Sequence, residues 1–147
     1  MSRTDVLDPE VARALSALSA AAKRGLGDPA LAELVVVRAS QLNHCAFCLD
    51  MHLTTARELG VRAEQLDLLA AWEEAEGVFD ERERAALALT EAVTVLTDRR
   101  VPDEVYERAA KHFGDRELAH LVGLVVAINN WNRVMVGRRI PPGGHQS

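Results

Sequence analysis

Apolar residues recur along most of the chain at intervals of three and four positions, the spacing that lines one face of an α-helix. The segments that begin at Leu31 and Leu118 show this spacing clearly. No stretch alternates apolar and polar residues between hairpin turns, as a half-buried strand would. Residues 34–37, Leu-Val-Val-Val, could alone form a strand, but helix-forming residues flank them and a capping aspartate precedes them. The pattern therefore predicts an all-α protein of six to seven helices.

Capping residues and helix breakers divide the chain into helical segments. Aspartate precedes proline at positions 8–9 and 28–29, where the missing proline N–H costs nothing in the first helical turn. Asp80 and Glu83 have the three-residue spacing of a capping box. The predicted helices cover, to within a few residues, 9–23, 29–43, 45–59, 63–72, 80–96, 102–113 and 115–136.

The predicted last helix is apolar around most of its circumference between Leu118 and Val136. A helix of this kind is normally buried on all sides. Since a domain of 147 residues has a limited interior, we expect part of this surface to contact another subunit. The pattern therefore indicates a homo-oligomer.

Composition narrows the class of protein further. Aromatic residues make up only 4% of the chain, which argues against an all-β fold because strands favour aromatic and β-branched residues. A net charge of -5 argues against a nucleic acid partner. The N-terminus lacks the apolar stretch of a secretory signal, and the longest apolar run, 121–128, is far shorter than the ~20 residues of a membrane span. We therefore expect a cytoplasmic protein that binds neither membranes nor nucleic acids.

The two cysteines of the chain, Cys45 and Cys48, stand three residues apart at the predicted start of the third helix. In a reducing cytoplasm such a pair is more often catalytic or metal-binding than structural. On a helix, both cysteines share one face with His52. The first helical turn favours the thiolate form of Cys45. His52 lies one turn from Cys48, where it can accept the thiol proton.

Glu33 is the predicted partner of this histidine. If the chain reverses near Asn43, the second and third helices lie antiparallel, with Glu33 ten residues before the turn and His52 nine after it. At about 1.5 Å per residue both side chains lie roughly 14 Å from the turn, so they can face each other. Glu33 would then orient His52 or hold its proton, in the series carboxylate, imidazole, thiol, thiol.

Other interpretations of the cysteine pair stay open. The two side chains could simply be small buried hydrophobic groups. They could also bind zinc together with His52 and either His44 or Glu33, although no second CxxC or HxxxH pair supplies separated ligands. Covalent haem attachment requires CxxCH, but Leu49 follows Cys48. Thioredoxin-like chemistry requires a βαβ context that the pattern does not predict.

Two segments resemble signatures of a known family. Residues 33–43, ELVVVRASQLN, followed by residues 45–52, CAFCLDMH, are similar to the signature of the AhpD-like alkylhydroperoxidases of the carboxymuconolactone decarboxylase superfamily. Residues 127–133, AINNWNR, resemble a second signature of that family. The resemblance runs in order along residues 5–143, which it marks as a single domain. The tails that this leaves are residues 1–4 and 144–147.

This resemblance implies an AhpD-like helical fold, assembled as a trimer or hexamer. It also implies reduction of hydroperoxides by a redox-active CxxC pair without a cofactor. Cys48 would attack the peroxide and become a sulfenic acid, which Cys45 would resolve as a disulfide. Glu33 and His52 match the proton-relay residues of the family. A dithiol partner, such as a lipoyl group on a carrier protein, would reduce the disulfide again.

The chain departs from the family pattern at two positions. Phe47 stands between the cysteines where well-studied members have histidine, and His44 stands where close relatives usually have glycine. His44 is therefore a secondary candidate, which either replaces part of the missing imidazole or caps the turn. The lactone decarboxylases of the superfamily lack the CxxC pair. The presence of the pair in this chain therefore argues against lactone decarboxylation. Decarboxylase-like action on a small lactone is kept as an alternative, beside a non-catalytic or metal-binding oligomer.

Overall fold

The computed structural model describes residues 7–143, and every regular element in that range is helical. The all-α prediction is therefore confirmed. Within that range no helix is both long and apolar enough to cross a membrane. The predicted tails, 1–4 and 144–147, lie outside the described residues. The α-helices are α1 Pro9–Leu26, α2 Pro29–Leu42, α3 Ala46–Glu58, α4 Ala63–Leu68, α5 Glu81–Thr94, α6 Leu96–Arg99, α7 Asp103–His112 and α8 Asp115–Arg138.

Several helix starts follow directly from the capping residues in the sequence. At the start of α1 the Asp8 carboxylate accepts a first-turn N–H at 2.8 Å, and at the start of α2 Asp28 accepts the Leu31 N–H at 3.1 Å. At the start of α5, Asp80 accepts the Glu83 N–H at 2.7 Å, and the Glu83 carboxylate accepts the Asp80 N–H at 2.9 Å. Each bond satisfies an N–H that lacks a partner within its own helix.

Two of the predicted helices are interrupted. The predicted segment 63–72 contains α4 and a following 3₁₀ helix, Leu69–Glu74, in which Ala71 leaves the helical region with φ -126° and ψ 37°. The predicted segment 80–96 ends at Thr94, and the separate helix α6 follows it. Neither interruption contains proline or glycine, so the local sequence carries no signal for it.

Helix α2 occupies the centre of the fold. Nine of its 14 residues are buried, so it is enclosed around most of its circumference. Val35 and Val36 pack into a core shared with α1, α5 and α8, while Leu34 and Val37 pack into a second core shared with α3, α4 and α5. Residues 34–37 are thus helical, and their apolar run serves two cores at once.

Helix α8 is less enclosed by its own chain than its apolar pattern indicates. Val126 and Val136 are 41% and 49% exposed, although the opposite side of the helix is buried in the core. The single chain therefore leaves part of this apolar surface uncovered, and that part is available for the subunit contact that the sequence predicts. The homo-oligomer that would cover these side chains stays a prediction.

Helices α1 and α8 pack closely against each other. The approach requires glycine at position 25, because a Cβ atom on Gly25 would overlap the ring of His120. Further along, the Trp131 Nε1–H donates to Ser19 Oγ at 3.2 Å. These contacts fix how α1 lies against the rest of the fold.

Candidate active site

A tight turn between α2 and α3 sets the position of both cysteines. Asn43 caps the end of α2, and His44 follows in the left-handed region with φ 54°. The His44 N–H donates to the Gln41 carbonyl at 3.2 Å, and the Cys45 N–H donates to the Ser40 carbonyl at 3.0 Å. Glycine adopts the left-handed conformation more readily than histidine does. The His44 side chain is exposed at this turn.

Hydrogen bonds between polar side chains tie the turn to α8. Asn43 Nδ2 donates to Asn129 Oδ1 at 3.0 Å and to Asn132 Oδ1 at 2.9 Å. Asn132 is fully buried and donates to Ser40 Oγ at 3.0 Å. This role was not predicted from the sequence. The sequence does carry a signal for it, namely a run of amides inside an apolar helix. Such a run is informative because buried amides need hydrogen bond partners.

Cys45 and Cys48 form a disulfide at the start of α3. Their Cα atoms are 5.3 Å apart, and the two residues are only 1% and 2% exposed. Cys45 is the N-cap of α3, one position before the first turn where the sequence placed it, and its Sγ accepts the Cys48 N–H at 3.3 Å. An N–H at a helix start favours negative charge on its acceptor. Cys45 is therefore placed to leave as a thiolate when the disulfide is broken.

Glu33 contacts two basic side chains, His52 on α3 and Lys23 on α1. Glu33 Oε2 lies 2.9 Å from His52 Nδ1, and Glu33 Oε1 lies 3.2 Å from Lys23 Nζ. The Glu33 side chain is 3% exposed, whereas that of Lys23 is 38% exposed. The approach of Glu33 to His52 agrees with the helix lengths on either side of the turn. Lys23 was not predicted, because it lies on a helix whose docking is set by distant residues.

The charges around Glu33 decide its ionisation. Burial alone would raise the pKa of Glu33, but its hydrogen bond with His52 and the charges of His52 and Lys23 together lower that pKa below the ordinary value. Glu33 is then a carboxylate at neutral pH and can only accept hydrogen bonds. We infer that His52 carries a proton on Nδ1, which leaves Nε2 as the proton-accepting atom of the neutral ring.

A cavity of about 490 Å³ lies beside Cys48 and His52. Side chains of α1, α3 and α8 form most of its wall, and Phe47 adds an apolar ring at the position between the cysteines. Cys45 and His44 do not line this cavity. Of the two cysteines, Cys48 is therefore the one that borders the space a ligand would occupy.

The four predicted catalytic residues lie together, and the secondary candidate does not join them. Cys45, Cys48, His52 and Glu33 form one buried group, whereas His44 is exposed on the turn. In the described part of the chain, no group of three or more histidine, cysteine or acidic side chains is arranged to hold a metal ion. The zinc interpretation requires both sulfurs as metal ligands, whereas in this structure they are bonded to each other.

Comparison with known sequences identifies related proteins. The model of the carboxymuconolactone decarboxylase family matches residues 9–92, more than half of the chain. The uncharacterized protein YdfG of Bacillus subtilis is 40% identical over 104 residues, which are 71% of this chain and 70% of that protein. The uncharacterized protein YnjA of Escherichia coli is 32% identical over 122 residues, which are 83% of this chain and 66% of that protein. The chain thus spans about two thirds of the length of each.

Solved structures share the fold. A protein of unknown function from Agrobacterium tumefaciens, proposed to be the antioxidant defence protein AhpD, has a TM-score of 0.91 at 33% identity, with 97% of this chain and 98% of that chain covered. An uncharacterized peroxidase-related protein from Silicibacter sp. TM1040 has a TM-score of 0.76 at 22% identity, with 94% of this chain and 73% of that chain covered. At 22% identity the second structure supports the fold alone.

Proposed function

The chain belongs to the carboxymuconolactone decarboxylase family, and on that premise we propose that it is an AhpD-like, thiol-dependent peroxidase. The observation that carries the proposal is the position of Cys48. Cys48 forms a disulfide with Cys45, and it is one of the residues that line a cavity together with His52, which Glu33 orients. A histidine held by a carboxylate beside a thiol is the arrangement that activates a cysteine nucleophile.

The proposed first step is the reduction of the peroxide by Cys48. His52 Nε2 accepts the Cys48 thiol proton, and the thiolate attacks the terminal oxygen of the hydroperoxide in the cavity. The O–O bond breaks, the alcohol leaves with a proton returned by His52, and Cys48 becomes a sulfenic acid. Glu33 stabilises the imidazolium that forms during this exchange, because a carboxylate is the stronger acceptor for a charged donor.

The proposed second step closes the disulfide. The Cys45 thiolate attacks the sulfur of the Cys48 sulfenic acid, the S–S bond forms, and hydroxide leaves and takes up a proton to give water. Together the two steps consume two thiols and one hydroperoxide, and they yield one disulfide, one alcohol and one water. The N–H of Cys48, which contacts Cys45 Sγ, favours the negative charge that this attack requires.

A dithiol partner is proposed to complete the cycle. One of its thiolates attacks Cys48, which lines the cavity, and Cys45 leaves as the thiolate. The second thiol of the partner then releases Cys48 and forms the partner's own disulfide. A lipoyl group on a carrier protein is the partner that the family suggests. We further propose a trimeric or hexameric assembly and a cytoplasmic location, with no cofactor.

The proposal is tested by counting thiols in the reduced protein before and after one equivalent of cumene hydroperoxide, with mass spectrometry of the peptide that contains both cysteines. We expect the loss of two thiols as an internal disulfide. Cys48→Ser should abolish this reaction, and Cys45→Ser should accumulate a sulfenic acid on Cys48 that dimedone traps. Peroxide turnover at the wild-type rate in both variants, with a dithiol donor present, would contradict the proposal.

The same samples test the alternatives. Stoichiometric zinc in freshly purified protein would instead favour a metal-binding oligomer. Turnover of a small lactone that persists after alkylation of both cysteines would favour decarboxylase-like chemistry.

A further inference from the structure

The cavity beside Cys48 has one polar wall and one apolar wall. Helix α1 contributes its polar wall, and α8 contributes its apolar wall at spacings that keep the side chains on a single helical face. The α1 residues are Ser16, Ser19, Ala20 and Lys23, and the α8 residues are Leu124, Ile128, Trp131 and Met135. The volume of about 490 Å³ lies within the roughly 300–1,000 Å³ range of small-molecule sites.

The polar wall holds an ammonium group with unused hydrogen-bonding capacity. Lys23 Nζ carries three N–H donors, and among the described residues Glu33 Oε1 is the acceptor that it contacts, at 3.2 Å. The Lys23 side chain is 38% exposed, whereas that of Glu33 is 3% exposed. The ammonium thus stands between a buried carboxylate and the open part of the cavity. The ammonium can therefore donate to a second anion that lies in the cavity.

We propose that this cavity binds an amphipathic carboxylate, with its acyl chain against α8 and its head group on Lys23. A single negative charge suits the site better than a phosphate dianion, because Glu33 already neutralises part of the ammonium charge. Resting on the function proposed above, this assigns the oxidant to the class of hydroperoxides that carry an apolar chain and a carboxylate. The hydroperoxide group on the chain is then held near Cys48.

The binding step can be measured without any turnover. The Trp72→Phe variant leaves Trp131, which lines the cavity, as its single tryptophan. We expect octanoate to change Trp131 fluorescence in a saturable manner and to bind at least tenfold more tightly than octanol. Calorimetric titration of octanoate into the wild-type protein gives the dissociation constant independently of the Trp72 substitution.

Substitutions of Lys23 and of its neighbour distinguish binding by the Lys23 ammonium from the effect of removing any positive charge on α1. Lys23→Met should weaken octanoate binding at least tenfold and leave octanol binding unchanged, while Lys23→Arg should retain most of the octanoate affinity. Arg24→Met is the matched control, because Arg24 is exposed on the same helix and does not line the cavity. This control should bind octanoate as the wild-type protein does.

Two results would overturn the subsite. One is equal affinity for octanoate and octanol, which would make the cavity an apolar pocket without a head-group site. The other is octanoate binding that Lys23→Met leaves unchanged. Either result would refute the head-group site on Lys23 without bearing on disulfide formation by cumene hydroperoxide, so it would leave the proposed function standing. Conversely, octanoate binding that depends on Lys23, in a protein that forms no disulfide with peroxide, would refute the function alone.

Discussion

Replacing Glu33 with glutamine tests how the buried carboxylate supports the proposed nucleophile. The substitution keeps the size of the side chain and a hydrogen bond acceptor opposite His52 Nδ1, so the fold should be maintained. It removes the negative charge that stabilises the imidazolium while His52 holds the Cys48 proton. We therefore expect Glu33→Gln to slow peroxide-dependent disulfide formation without abolishing it.

The size of the effect follows from the 2.9 Å bond between Glu33 Oε2 and His52 Nδ1. A hydrogen bond to a charged group contributes about 1.5–3 kcal/mol, and a neutral one contributes about 1 kcal/mol. The exchange therefore removes roughly 0.5–2 kcal/mol from the state in which His52 is charged. At about 1.4 kcal/mol per tenfold change, the rate should fall about 2- to 30-fold.

The assay is rapid mixing of the reduced protein with cumene hydroperoxide, followed by quenching with acid and counting of the remaining thiols. Glu91→Gln is the matched control, because Glu91, like Glu33, binds two side chains, here an arginine and a tryptophan, but does not line the cavity beside Cys48. It should react as the wild-type protein does. If Glu33→Gln reacts at the wild-type rate, the carboxylate does not stabilise the charged imidazole and the proposed relay is wrong.

Because the pKa of Glu33 is lowered in the folded protein, its stabilising effect is complete above the unfolded-state pKa, near 4.5, and is lost as the pH falls through the lower folded-state pKa. The difference in urea midpoint between the wild type and Glu33→Gln should therefore be constant at neutral pH and shrink in acid. Lys23→Met should shift the acid limb of the pH profile of disulfide formation to higher pH, because the ammonium that lowers the pKa of Glu33 is gone. Lys23→Arg keeps a positive charge and should keep the acid limb at its wild-type position. An acid limb that does not move in Lys23→Met would show that Lys23 does not act on Glu33 and His52. Gly25→Ala should destabilise the protein by about 1–3 kcal/mol in urea unfolding, since the added Cβ overlaps His120. Gly137→Ala is the control and should not destabilise the protein, because its Cβ meets open space. Equal losses of stability in the two variants would refute the close approach at Gly25 as the cause.

The parts of the structure that the sequence predicts are those governed by neighbours along the chain. The starts of α1, α2 and α5 depend on aspartates within three residues of the N–H groups that they bind. The approach of Glu33 to His52 depends only on two helix lengths and one turn between them. Each of these features is decided within about 20 residues.

The features that the sequence does not predict depend on how distant helices pack. Lys23 reaches Glu33 because α1 lies against α2 and α8, and that docking relies on contacts such as Gly25 with His120. Asn132 binds Ser40 across 92 positions of sequence. Neither contact has a local pattern, although an amide or ammonium in an otherwise apolar stretch indicates that a partner exists somewhere in the fold.

The site combines two halves of the chain that differ in what they determine. The family model matches residues 9–92, which supply Lys23, Glu33, both cysteines and His52. The apolar wall of the cavity comes from α8, which lies beyond that match. Under the proposed function, the first half supplies the groups for the thiol chemistry, whereas Lys23 in that half and the apolar wall from α8 together select the oxidant. Because the family also includes lactone decarboxylases, membership of the family does not decide the reaction, and the choice of substrate must be sought in the side chains that line this cavity.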